Sequence, residues 1–256
     1  MYRYISHLLI SISLFSYNTA HAENVSTDKD NLISGSIGLE YGTFIDDLSL
    51  DDTDTVTLSS NFEISLSPKL KLGTDLRKTE FLDLSGAPNS TLTSFNLGYA
   101  FSDKAIIRAF HTDEKFYVLD LETYGISTSY TGKKYSISGY VAKTDIAMGN
   151  ITYDVNGVSA SYNLSENFTV SAGIDRMDVG YGENLTRSTI GGSYTFGKGK
   201  SIYITANENK FSAYPSGTNI EHLKIGFTMD FGKTGIQPFK SPDFLGMLMS
   251  AEGSLN

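Results

Sequence analysis

The chain has 256 residues, 40% of them hydrophobic and 12% aromatic, with no Cys, no Trp and a formal charge of −9. That aromatic content excludes a disordered chain, and the acidic balance argues against nucleic acid as a partner. The absence of cysteine excludes disulfides, zinc–thiolate sites, iron–sulfur clusters and thiol nucleophiles.

Residues 1–22 read MYRYISHLLISISLFSYNTAHA. Arg3 precedes an apolar core from Leu8 to Phe15, and Ala20-His21-Ala22 forms an A-x-A site before Glu23. This is the pattern of a secretory signal peptide, with cleavage expected after Ala22. The mature chain then carries a net charge of −10. The longest later apolar run, Phe244-Leu245-Gly246-Met247-Leu248-Met249, is far too short for a spanning helix. The mature protein is therefore either soluble or a β-barrel.

From there the chain alternates apolar and polar with period 2. Val56, Leu58, Phe62, Ile64 and Leu66 oppose Thr57, Ser59, Asn61, Glu63 and Ser65. Phe95, Leu97, Tyr99 and Phe101 oppose Asn96, Gly98 and Ala100. Phe168, Val170, Ala172 and Ile174 oppose Thr169, Ser171, Gly173 and Asp175, and Leu223, Ile225, Phe227, Met229 and Phe231 oppose His222, Lys224, Gly226, Thr228 and Asp230. Such alternation predicts strands with one apolar and one polar face. Twelve are expected, over 31–42, 54–66, 69–80, 91–101, 105–112, 117–131, 135–144, 150–164, 168–180, 187–197, 201–209 and 219–231.

Tight turns are predicted at Ser67-Pro68-Lys69, Ser102-Asp103-Lys104, Gly132-Lys133-Lys134, Ser165-Glu166-Asn167 and Gly197-Lys198-Gly199-Lys200. The dipeptides Ser129-Tyr130, Ser161-Tyr162 and Ser193-Tyr194 recur at a fixed interval, so the repeated unit is one long hairpin. Between the tight turns lie more polar connections near 43–54, 79–91, 112–117, 144–150, 180–187 and 208–219. Short turns at one end and longer loops at the other is the outer-membrane pattern, and an even strand count puts both chain ends on the short-turn side. A soluble β-sandwich is disfavoured, because strands of ten or more residues exceed the soluble mode and the polar faces are not a core-packing set.

The segment Lys224-Ile225-Gly226-Phe227-Thr228-Met229-Asp230-Phe231 resembles the β-signal of outer-membrane proteins. Tyr194-Thr195-Phe196-Gly197 and Tyr99-Ala100-Phe101-Ser102 resemble strand-to-turn junctions of Gram-negative porins. The mature chain thus resembles a small porin-like outer-membrane β-barrel, the barrel itself expected over 23–231. The resemblance implies an all-β, transmembrane, antiparallel up-and-down barrel in the bacterial outer membrane. It also implies partners: outer-membrane lipid and lipopolysaccharide, and barrel assembly machinery reading Lys224–Phe231. In that family the β-signal ends the chain, whereas here residues 232–256 follow as a tail. Tyr99, Phe101, Tyr130, Tyr135, Tyr162, Phe168, Tyr194, Phe196, Phe227 and Phe231 lie near strand ends, as headgroup-level aromatic girdles do.

The phase of each strand nominates Glu40, Glu63, Lys71, Asp75, Arg77, Arg108, Asp175, Lys224 and Asp230 as pore-lining. Both signs are present, so they either set up a transverse field or pair across the lumen. Inward Ser34, Ser36, Gly73, Ser136, Ser138, Ser159, Ser161, Ser171, Gly191 and Ser193 favour an open, wet lumen. The mature chain has only His111 and His222, neither in a motif for Ser–His chemistry, so no catalytic residue and no cofactor are expected. The run Asp46-Asp47-Leu48-Ser49-Leu50-Asp51-Asp52-Thr53-Asp54 lacks EF-hand order and reads as a solvated acidic loop rather than a calcium site.

The expected function is passive diffusion of small polar solutes. Alternatives are a closed structural or adhesion barrel acting through its acidic loops, and a lipid-modifying barrel enzyme. Homo-oligomerisation is left open. In the tail, Pro238 and Pro242 oppose a thirteenth strand. The apolar residues from Phe244 to Met249 are expected to pack into the periplasmic mouth or to bind a partner there.

Overall fold

The computed structural model describes residues 32–45, 54–82, 89–117, 119–147, 151–180, 183–212, 219–232 and 239–244. The signal-peptide segment and the acidic run 46–53 lie outside them. The strands are β1 (Ile33–Ile45), β2 (Asp54–Ser65), β3 (Leu70–Phe81), β4 (Ser90–Ser102), β5 (Ala105–Phe116), β6 (Leu119–Thr131), β7 (Tyr135–Ile146), β8 (Ile151–Asn163), β9 (Phe168–Gly180), β10 (Glu183–Phe196), β11 (Lys200–Phe211) and β12 (Asn219–Phe231). Each pairs antiparallel with its chain neighbours, and β1 pairs with β12 from Gly35↔Phe231 to Ile45↔Glu221, closing the barrel. Closure leaves no strand edge, which is the condition for a sheet to sit in lipid.

The tight turns have local causes. Ser67 Oγ accepts from the Lys69 and Leu70 amides at 3.3 and 3.0 Å, and Ser165 Oγ accepts from the Asn167 and Phe168 amides at 3.3 and 3.1 Å. A serine bonded to the backbone two and three residues on fixes the reversal. In the turn 197–199, Gly197 and Gly199 have φ of 65° and 68°, a region glycine enters without strain.

At the opposite end two predicted loops prove to be strand. The polar stretch 112–117 continues β5 to Phe116, and 180–187 is largely the start of β10, so only 117–118 and 181–182 connect those strands. The residues read as loop are polar because their side chains face the lumen or the aqueous rim, not because the ladder stops. The longer connections are 46–53, 82–89 and 212–218.

The outer face is zoned. Next to the short turns it is apolar: Ile107, Ile126, Ile137, Val158, Ile174, Ile190, Ile202 and Ile225 are all exposed. This zone runs for about eight residues per strand, or about 20 Å after allowing for tilt, close to the ~25 Å band of outer-membrane barrels. Exposed aromatic rings border it. Phe101, Tyr130, Tyr135, Tyr162, Phe168, Tyr194 and Phe196 lie by the short turns, while Tyr41, Phe95 and Tyr124 lie at its upper limit. Above that limit the outward residues turn charged, with the pairs Lys143–Asp154 and Lys115–Asp120 at 3.0 and 3.8 Å. The strands therefore rise past the apolar band as a polar collar.

The candidate pore and its lining

The inner face joins residues far apart in sequence. Glu63 on β2 accepts from Lys71 Nζ on β3 at 2.9 Å and from Arg108 on β5 at 3.0 Å. Arg77 meets Asp75 at 3.4 Å on the same strand. Arg187 on β10 makes two bonds to Asp175 on β9, at 2.9 and 3.1 Å. Lys224 on β12 meets Glu40 on β1 at 2.9 Å. Asp230 has the same phase as Lys224 but lies exposed near the short-turn end.

Two tyrosines reinforce this ring by one device. Tyr140 on β7 stands opposite Gly157 on β8, which stands opposite Asp175 on β9. Tyr203 on β11 stands opposite Gly226 on β12, which stands opposite Glu40 on β1. Each ring lies flat over the intervening glycine, where an alanine Cβ would collide with it, and donates its hydroxyl to the carboxylate beyond at 2.8 Å. A side chain on Gly157 or Gly226 would block that reach, so Gly226 serves the lumen wall.

Hydroxyls not used by charges pair with one another. Ser136–Ser161 and Ser138–Ser159 bond at 2.7 Å, and Thr57–Thr79 and Thr123–Thr144 at 2.8 Å. These small side chains leave room beside β7 and β8. Toward the loop end a small, open vestibule is lined by Thr55, Thr57, Ser90, Asn207, Asn209, Arg187 and Lys224.

Residues 239–244 lie inside the barrel. Phe239 and Phe244 are buried. Asn61 Nδ2 donates to the Phe239 carbonyl, and Arg77 donates to the Ser241 carbonyl at 3.3 Å. The Ser241 amide and hydroxyl donate to Asp75 at 2.9 and 2.8 Å. Arg187 donates to the Asp243 carbonyl at 2.8 Å, and the Phe244 amide donates to Glu114 at 3.1 Å. The Phe239 ring sits 4.9 Å from Phe110, and Phe244 packs with Val155, Met177 and Leu185. Those three lie on the loop-end halves of β8, β9 and β10, so Phe244 sits well above the periplasmic mouth where the sequence suggested it would stay. Lys240 lies in the lumen among these charges. Its side chain is exposed to lumen water.

The ring also takes in Arg187, Glu114, Tyr140, Tyr203 and the segment 239–244, which the phase of the strands did not nominate. Glu114 fell in a stretch read as loop, two residues past the expected end of β5, while Arg187 stood at the first position of the strand expected over 187–197, on the inward phase of Gly191 and Ser193. The others are polar partners whose importance comes only from contact. Of the two histidines, His111 pairs with Asp113 at 3.3 Å on the outer face, and His222 stacks on Phe44 in the lumen with centroids 4.1 Å apart. Among the described residues no three His, Cys, Asp or Glu side chains gather to hold a metal ion.

The sequence model of the Gram-negative porin family matches residues 79–214, more than half of the chain. No curated protein matches at the level searched. Among solved structures, the NanC porin is similar with a TM-score of 0.58 at 9% identity, over 76% of this chain and 100% of that one. The KdgM porin gives 0.54 at 10% identity, over 76% and 99%, and the CymD monoaromatic hydrocarbon channel gives 0.51 at 10% identity, over 80% and 90%. At such identity these structures support the barrel fold, while the family match carries the assignment. The chain belongs to the Gram-negative porin family and is a porin-like barrel of the bacterial outer membrane, a channel for small solutes.

Proposed function

We propose that the protein conducts small polar solutes passively and that its own segment 239–244 occupies the lumen at rest. The observation that carries this reading is the set of bonds from Asn61, Asp75, Arg77, Glu114 and Arg187 to that segment. The lining is hydroxyl-rich and doubly charged, which suits polar solutes better than apolar ones. In this reading Glu40, Glu63, Lys71, Asp75, Arg77, Arg108, Asp175, Lys224 and Asp230 line the path. Residues 1–22 direct export and are removed. Residues 224–231 engage the assembly machinery, lipopolysaccharide covers the outer face, and the barrel carries out no catalysis.

The test is single-channel conductance of the refolded protein, full length and truncated after Lys233. Conductance should rise on truncation, with heat-modifiable assembly intact. Unchanged conductance would refute the plug. A second reading, a closed structural barrel, draws on the same filling of the lumen by ion pairs and the tail. It predicts no conductance in either form.

A further inference from the structure

We infer that the inner wall is a binding site for short extended peptides, and that residues 239–244 are its resident occupant. This rests on the plug reading above. The wall reads main chain. Donors from β2, β3 and β10 go to the carbonyls of residues 239, 241 and 243, alternate residues of the segment. Acceptors from β3 and β5 take the amides of residues 241 and 244. Main-chain recognition of this kind tolerates many sequences, and alternate side-chain pockets then supply selectivity.

Two such pockets exist. Phe239 lies against Phe110, and Phe244 lies among Val155, Met177, Leu185 and the Tyr140 ring, whose centroid is 6.2 Å away. Phe110, Val155, Met177 and Leu185 are apolar residues on what is otherwise the polar face of their strands. A water-filled path has no use for them, whereas a site that must bury two side chains of a peptide does. The spacing fits the fold: five extended residues span at most about 17 Å, inside the ~25 Å height of the apolar band.

The occupant is also replaceable. Arg77 keeps Asp75, and Arg187 keeps Asp175 through two bonds, whether or not the segment is seated. Its departure therefore strands no buried charge on either arginine. Arg77 and Asp75, a donor and an acceptor of the site, form one such pair, and the neutral Asn61 amide adds a donor, which suits the amide and carbonyl groups of a peptide better than a ligand of one sign.

The experiment uses planar-bilayer current through the chain truncated after Lys233, with the capped hexapeptide acetyl-Phe-Lys-Ser-Pro-Asp-Phe-amide added. Reversible block is expected. Replacing both phenylalanines by alanine should weaken it by about tenfold or more, as loss of two buried rings implies. Replacing Lys of the peptide by alanine should change it by no more than about threefold, because most of the bonds run to main chain and the side-chain bonds come from Ser and Asp. A neutral oligosaccharide of similar length should not block. If truncation raises conductance but the hexapeptide does not block, the plug stands and the peptide site is overturned. Equal block by the phenylalanine and alanine peptides overturns it as well. Unchanged conductance on truncation removes the plug and this inference together. Should the truncated chain fail to assemble, the same titration on the full-length Phe239→Ala/Phe244→Ala variant decides, with block expected and its absence overturning the site.

Discussion

Glu63 ties β2 to β3 and β5 across the lumen wall, and its removal should be measurable. The residue is 2% exposed, as is Arg108, which it meets at 3.0 Å. In Glu63→Ala the Arg108 guanidinium loses its carboxylate while remaining shielded from bulk water, and keeps Ser129 Oγ at 3.3 Å. Deleting one partner of a buried ion pair costs about 3–5 kcal/mol. Lys71 adds little, because it is more accessible and can turn toward lumen water. With one hydrogen bond retained, the lower end of that range, about 3 kcal/mol, is expected. The assay is a reversible urea titration of the barrel in detergent, comparing midpoints at constant slope. Asp120→Ala is the control: its partner Lys115 lies 3.8 Å away with both side chains more than half exposed, so the loss should stay under about 1 kcal/mol. The double variant Glu63→Met/Arg108→Met removes both charges and should recover most of the loss, because apolar residues of similar volume can replace a buried pair. Equal losses in Glu63→Ala and Asp120→Ala, or no recovery in the double variant, would refute a buried pair at this position.

Other outcomes follow from the same geometry. Leu97→Arg places a charge near the middle of the apolar band and should destabilise the barrel by about 2–4 kcal/mol, whereas Ser136→Arg on the inner face should cost much less; equal losses in lipid would invert the assigned faces. Gly226→Ala drives a methyl group into the Tyr203 ring and should cost about 1–3 kcal/mol, and Tyr203→Ala in the same chain should relieve most of that, so additive losses would show that the ring does not lie over the glycine.

The barrel was legible in the sequence because lipid outside and water inside impose period 2 on every strand. Leu97 and Asn96 cannot exchange faces without placing an amide in hydrocarbon. Serines such as Ser67 and Ser165 marked the turns because their hydroxyls bond the backbone locally. An even number of strands followed from the spacing of those turns, and with it the side on which both ends emerge. The limits of β5 and β10 were not legible, because residues such as Glu114 are polar for the lumen and look like loop residues when their partners are unseen. Which charges pair was not legible either. Glu63 and Arg108 lie three strands apart, and only closure of the cylinder, with its radius and register, brings them to 3.0 Å. The tail shows the same division. Its prolines excluded a thirteenth strand, but the apolar residues that receive Phe239 and Phe244 come from β5, β8, β9 and β10. Their convergence inside the barrel is a property of the closed sheet, since no local stretch of chain contains more than one wall of either pocket.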